Sequence, residues 1–280
     1  MKTDKRGHEL DARMFLDKPT TFLLPAQFRD VSGLTVLNDE LFVVQDESTQ
    51  VNVYNTNTFT LSHNIDITGS KSLSAISSSS QHNCLYISDD SLKVVYRYNL
   101  SNKVITHWSV GGECYGLSET STYSVLVTLE DTKQIKEYTT DGSLIREISL
   151  DSSMQCPWHS VQLSSDRLVV SHGWSDSLHR VCIVDMSGRI IQSYGGSRGS
   201  GVGQLYAPRH LAVDRYGNVL VTDMYNDRVV LLSPSLTHLG DITVSGHELC
   251  DPWALHLDQL NHRLYIGECG SSGRVIVLSA

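Results

Sequence analysis

Two sequence anchors return along this chain at steady intervals, and a repeat too short to bury a core of its own restricts the possible folds severely. The first is a polar or basic residue followed by a β-branched one: Gln50-Val51, Lys93-Val94, Gln134-Ile135, Arg180-Val181, Arg228-Val229 and Arg274-Val275. The second, 17 to 20 residues earlier, is apolar: Leu34, Ile76, Leu117, Val161, Leu211 and Leu255. Both series step by 41 to 50 residues. The unit is clearest from Gly195 to Leu232. There Leu211 and Val213 alternate with smaller neighbours, Tyr216-Gly217-Asn218 supplies turn chemistry, Val219 to Thr222 reads as a second strand and Val229 to Leu232 as a third. Gly and Asn tolerate the positive φ of a tight hairpin, and such short spacings leave no room for a crossover helix, so the strands are antiparallel.

Each unit also offers a weaker fourth strand, at Leu61 to Ile67, Val104 to Val110, Leu144 to Leu150, Ile190 to Tyr194 and Leu236 to Val244. Six such units predict an all-β chain, a six-bladed β-propeller of four-stranded antiparallel blades. The sixth unit stops at Ala280 after its third strand, which would leave a long open sheet edge. Laying the N-terminus over the fifth unit aligns Leu34 with Leu211 and puts Arg13 to Asp17 over the fourth strand. The expectation is that Ala12 to Leu16 forms the closing strand of the last blade, that residues 1–11 are a flexible tail, and that residues 1–280 make one domain.

The pattern of Gln204-Leu205, Pro208, Leu211-Ala212-Val213-Asp214, Gly217-Asn218, Val221-Thr222-Asp223 and Asn226-Asp227-Arg228-Val229 resembles the NHL repeat. That repeat builds the C-terminal propeller of TRIM-NHL ubiquitin ligases and of Brat-like translational repressors. The fifth unit matches well, the first, second and sixth in part, the third and fourth weakly. The resemblance implies a module that selects a protein substrate in a ubiquitin-ligase-like setting, or one that binds single-stranded RNA. The motif is mostly turn and core chemistry, which specifies fold more than activity.

Charge separates these readings. With 31 acidic residues against 22 Lys plus Arg, the formal net charge is −9. Phosphate neutralisation carries much of nucleic-acid affinity, so RNA requires a basic patch assembled from separate blades. The six cysteines stand singly, without the C-x-x-C pairs of a zinc site, and read as reduced thiols. The N-terminus lacks an apolar signal core and no run approaches a membrane span, so the expected setting is cytoplasmic, without a membrane role and monomeric as an isolated domain.

Propeller loops are freer to vary than strands, and the loop entering each first strand should share one face with the loop joining the second to the third. On that face, blades one and two offer small or acidic residues. Blades three to six offer Tyr115, Trp158, His159, His172, Trp174, Arg209, His210, Tyr225 and Trp253. Aromatics and arginine dominate interface hot spots, so these nine are the candidate partner-binding residues for a protein or peptide. Trp158 and Trp253, each beside a proline, equally suit packing between blades.

Other chemistries find less. Bases could stack on Tyr115, Tyr225 or the tryptophans, with Arg209, Arg228 and Lys133 on phosphate. His159, His172 and His210, with His256, could surround a metal as in the peptide-amidating lyase, another propeller of NHL-like repeats, giving a metal-dependent hydrolase or lyase. Register opposes this: His159 lies two residues before Val161, His210 one before Leu211 and His256 one after Leu255, so the three should not point alike. Asp46, Asp89 and Asp223 recur at equivalent turns as backbone caps, with Arg180, Arg228 and Arg274 as their expected partners. No catalytic constellation and no cofactor is predicted; the leading reading is a non-enzymatic recognition module.

Overall fold

A computed structural model describes residues 11–16, 20–23 (as backbone), 30–174, 178–244, 246–270 and 273–280. The chain forms six four-stranded antiparallel sheets, the blades of a six-bladed β-propeller. Blades one to five span residues 31–66, 73–109, 114–149, 157–196 and 208–242, each with its strands in sequence order. The innermost strands are Val31–Leu37, Leu73–Ser79, Cys114–Glu119, Pro157–Ser164, Pro208–Val213 and Pro252–Asp258. Each contacts the innermost strand of the next blade, and the sixth contacts the first, so the ring closes around a channel.

Hairpin chemistry follows the sequence. Leu37 pairs with Glu40 across Asn38-Asp39, both at positive φ (53° and 60°), the left-handed turn that suits the twist of antiparallel strands. In blade five Gly217 has φ +80°, and Asp214 accepts bonds from the backbone N–H groups of Tyr216 (2.9 Å) and Asn218 (2.8 Å). Second and third strands carry the core: Val125–Leu129 and Val219–Asp223 are buried along their whole length. Fourth strands bury one side chain in blades one and three, Ile65 and Ile148. Such strands provide a hydrogen-bonded edge more than a core.

The N-terminus closes the last blade, but with a different segment from the one expected. Thr20–Leu23 pairs antiparallel with Val275–Ser279, from Thr20 opposite Ser279 to Leu23 opposite Ile276. Ala12–Leu16 is instead a 3₁₀ turn. It acts as a plug: Ala12 and Phe15, both fully buried, join the core shared by blades five and six, with Leu220, Leu231, Leu264 and Ile276. The Ala12 N–H donates to the Asp214 carboxylate at 2.9 Å. The sequence offset was right about pairing of the chain ends and wrong by several residues, because Ala12, Phe15 and Leu16 have apolar character without the alternation that marks a strand. Residues 1–10 of the expected tail lie outside the described residues; Asp11 itself holds Arg13 and accepts from Asn218 Nδ2 at 3.3 Å.

Candidate functional site

A bulge recurs at one place in every innermost strand. The register slips between Val31 and Gly33, Leu73 and Ala75, Cys114 and Gly116, Pro157 and His159, Pro208 and Leu211, and Pro252 and Ala254. A β-bulge re-aims a side chain out of the ladder. Here the re-aimed residues are Ser32, Ser74, Tyr115, Trp158, Arg209 and Trp253, one per blade, and all six line a single cavity of about 540 Å³ at one mouth of the channel. One backbone device, repeated sixfold, thus gathers residues far apart in sequence.

The second-to-third-strand loops complete the wall with Asp46, Asp90, Glu130, Trp174, Met224, Tyr225 and Cys269. Tyr115 and Trp158 stack at 4.5 Å between ring centroids with planes 9° apart, and Trp253 meets Trp158 edge-on at 5.5 Å. Tyr225 lies 5.5 Å from Trp174, and both are part-exposed at 39%. The Arg209 guanidinium carbon sits 3.6 Å from the Trp158 ring centroid, 4.4 Å from Trp174 and 5.2 Å from Trp253. Each such contact of a desolvated cation with an aromatic face contributes about 0.5–2 kcal/mol.

The electrostatics of this mouth are uneven. Arg209 is only 3% exposed and forms no ion pair among the described residues, and its Nε has no hydrogen-bond partner. Burial lowers its pKa to about 10, opposed by the neighbouring Tyr225, Cys156, Cys269 and Tyr115, so it remains a cation at neutral pH. Acids gather on the other arc. Burial and then the nearby Asp90, Glu113 and Glu130 push the Tyr115 phenol upward. Burial raises Asp46, with Asp90, Asp30 and Glu47 adding to it against the Glu47 N–H. Cys156 is raised to about 11 by burial and by Glu130.

Of the nine expected residues, Tyr115, Trp158, Trp174, Arg209, Tyr225 and Trp253 line the mouth, and the three histidines do not. His159 and His210 follow the bulged residue and line the channel beyond it, with His256. Their place in the strand is equivalent to Gly33 and Gly116, where neighbouring blades approach so closely that a Cβ on Gly116 would stand 2.5 Å from the Trp158 carbonyl. The two imidazoles stack at 4.6 Å with planes 4° apart. His159 Nε2–H donates to the Leu117 carbonyl at 3.1 Å and its Nδ1 accepts from the Leu211 N–H at 3.2 Å, tying blades three, four and five. The strand register differs from the expected one: Ser160, not Val161, is the blade-four equivalent of Leu34 and Leu211, so His159 and His210 do point alike. Burial lowers His159 and His256 to about 4. His172, fully buried, accepts from Arg180 Nε at 3.2 Å, and burial, then Arg180, lowers it to about 4.

The arginine anchors also divide. Arg228 pairs with Asp223 at 2.8 Å and Asp241 at 3.2 Å and donates to the Gln204 carbonyl, which withdraws it from any phosphate. Arg180 instead donates to His172 and Ser153, and Arg274 meets His247 Nδ1 at 3.2 Å. Asp89 and Asp223 cap backbone as expected, Asp89 accepting from the N–H of Lys71 and Leu92 and Asp223 from that of Tyr206. Cys156 also lines the wall and was not among the expected residues; its place immediately before a first strand gives no signal, since the equivalent Asp30 and Ala207 do not line the cavity.

The sequence matches no protein-family model. Solved structures with similar folds include the selenomethionine-substituted virginiamycin B lyase of Staphylococcus aureus (12% identity, 94% of this chain and 99% of that one, TM-score 0.65). Others are an auxiliary nutrient binding protein of Bacteroides thetaiotaomicron (14%, 90% and 69%, TM-score 0.67) and the WD40 β-propeller domain of Doa1 (13%, 92% and 97%, TM-score 0.60). At such identities the likeness is one of fold. Among the described residues, no helix is long and apolar enough to cross a membrane.

Proposed function

We propose that this chain is a non-enzymatic recognition module that seats a protein or peptide segment on the channel mouth formed by Tyr115, Trp158, Trp174, Arg209, Tyr225 and Trp253. The observation that carries the reading is the sixfold bulge position, which presents Tyr, Trp, Arg and Trp on four consecutive blades. Large rigid aromatics around a desolvated arginine are what binding hot spots are made of. The resemblance to NHL repeats supports a setting in which such a face selects a substrate for a ubiquitin ligase carried elsewhere.

RNA on the same face is less well supported. Asp46, Asp90 and Glu130 share the cavity with the one arginine, and Arg228 is already spent on Asp223 and Asp241. The metal-assisted reading is weakened at His159, whose two nitrogens both hold backbone groups.

The test is capture from lysate, with and without nuclease treatment, by wild-type protein and by the double variant Trp174→Ala, Arg209→Ala, with the melting temperature of each recorded. A set of proteins retained by wild type and lost by a folded double variant is the expected result. Identical sets would remove the support for this face, and capture that disappears with nuclease would transfer it to RNA.

A further inference from the structure

The mouth has two electrostatic poles on opposite sides of the ring. In a closed ring of six, blade five lies opposite blade two, so the first strand of blade five, which carries Arg209, stands across the channel from the blade carrying Asp90. Asp46 and Glu130 flank Asp90 on blades one and three. Neither pole has neutralised the other, for among the described residues Arg209 makes no ion pair and its buried Nε has no hydrogen-bond partner. A buried guanidinium without an acceptor forgoes hydrogen bonds that water would have given it. Stacking on Trp158 and Trp174 leaves the in-plane N–H edge as the place where an acceptor belongs.

The missing acceptor can be specified. It is anionic and planar enough for the guanidinium fork. It also carries little charge, because three carboxylates share the same cavity of about 540 Å³. A phosphate dianion is penalised there, and a monoanionic carboxylate much less. The rest of the ligand should carry positive charge to meet the acidic arc and flat apolar surface to lie against the aromatic wall. Such a cavity takes a few residues, not a folded surface. Since Arg209 is almost wholly buried, a chain end that enters and needs one exit suits the site better than a continuous chain that must enter and leave.

On the reading that this face binds a peptide, we propose that its occupant is a free peptide C-terminus, the terminal carboxylate held by Arg209 and a basic side chain close to the end directed to Asp90, Asp46 and Glu130.

The experiment passes two randomised hexapeptide mixtures, one ending in free carboxylates and one in amides, over immobilised full-length protein and identifies the retained peptides by mass spectrometry. Retention of the free-acid mixture at least about tenfold above the amide mixture is expected, the size of losing one charge-assisted hydrogen bond or more, with Lys and Arg enriched close to the chain end. Arg209→Gln should abolish retention and Arg209→Lys, which keeps charge without the fork, should weaken it. Asp90→Asn should keep retention and lose the basic preference, which tests the proposal even if the Arg209 variants do not fold. Equal retention of both mixtures, selection of amides with internal Asp or Glu, or equal competition by free lysine overturns it. If neither mixture is retained while lysate capture still depends on Trp174 and Arg209, the end-on ligand falls and the face remains. If capture is also insensitive to those residues, both fall.

Discussion

Arg209 and His159 show how neighbouring residues in equivalent strands take opposite duties. Arg209 occupies the bulge and turns to the mouth, whereas His159 comes just after the equivalent bulge and turns to the next blade. His159 is neutral and wholly committed to two backbone groups, and burial holds its pKa near 4 against an ordinary value of 6.5. The folded state therefore binds fewer protons than the unfolded one below pH 6.5. Stability from this group is complete above that pH and is lost as pH falls toward 4, by about 1.4 kcal/mol per unit within the window. His159→Gln should thus lose about 2 kcal/mol less between pH 7 and pH 5 than wild type does, measured by urea unfolding at the two pH values. Equal losses would mean that His159 is not kept neutral by the fold. The sequence made these residues visible as a set of aromatics, histidines and one arginine entering first strands. It did not show which way each pointed, because a bulge shifts side-chain direction by one residue, and direction is what separates a wall residue from a packing one.

At the scale of elements, the weakest sequence signals belong to segments that bury least. Core strands such as Val125–Leu129, made of Val, Leu and Thr alone, are β-branched or apolar at every position and were legible as strands. Leu144–Ser149 has a single buried residue, Ile148, so its pattern was faint, although its position was fixed by the strand before it. The N-terminal turn is the opposite case: Ala12 and Phe15 are wholly buried, yet they fill a space between blades five and six whose shape no local pattern encodes. Phe15→Ala should destabilise the chain by about 3–5 kcal/mol, the usual cost of emptying a buried phenylalanine site. Deletion of residues 1–23 should cost more than deletion of residues 1–17, since it also strips the ladder from Val275–Ser279. Melting temperatures check both, and a truncation at residue 17 as damaging as one at residue 23 would remove the closing role of Thr20–Leu23.

For the whole molecule, the repeat period fixed the number of blades, and the number of blades fixed which loops meet at the mouth. That is why a site assembled from residues 32 to 269 could be anticipated without a local motif. The two-pole arrangement was only half legible. Small or acidic loops on blades one and two and aromatic ones on blades three to six were apparent, but the lack of a hydrogen-bond partner for Arg209 Nε among the described residues depends on three-dimensional distances. The most direct test of the account is photo-crosslinking of proteins captured from lysate, with benzoylphenylalanine placed at Tyr225 on the mouth or at the comparably exposed Tyr123 in a turn between first and second strands. The account predicts partner-dependent crosslinks from position 225 and none from position 123; crosslinks from position 123 alone would contradict it.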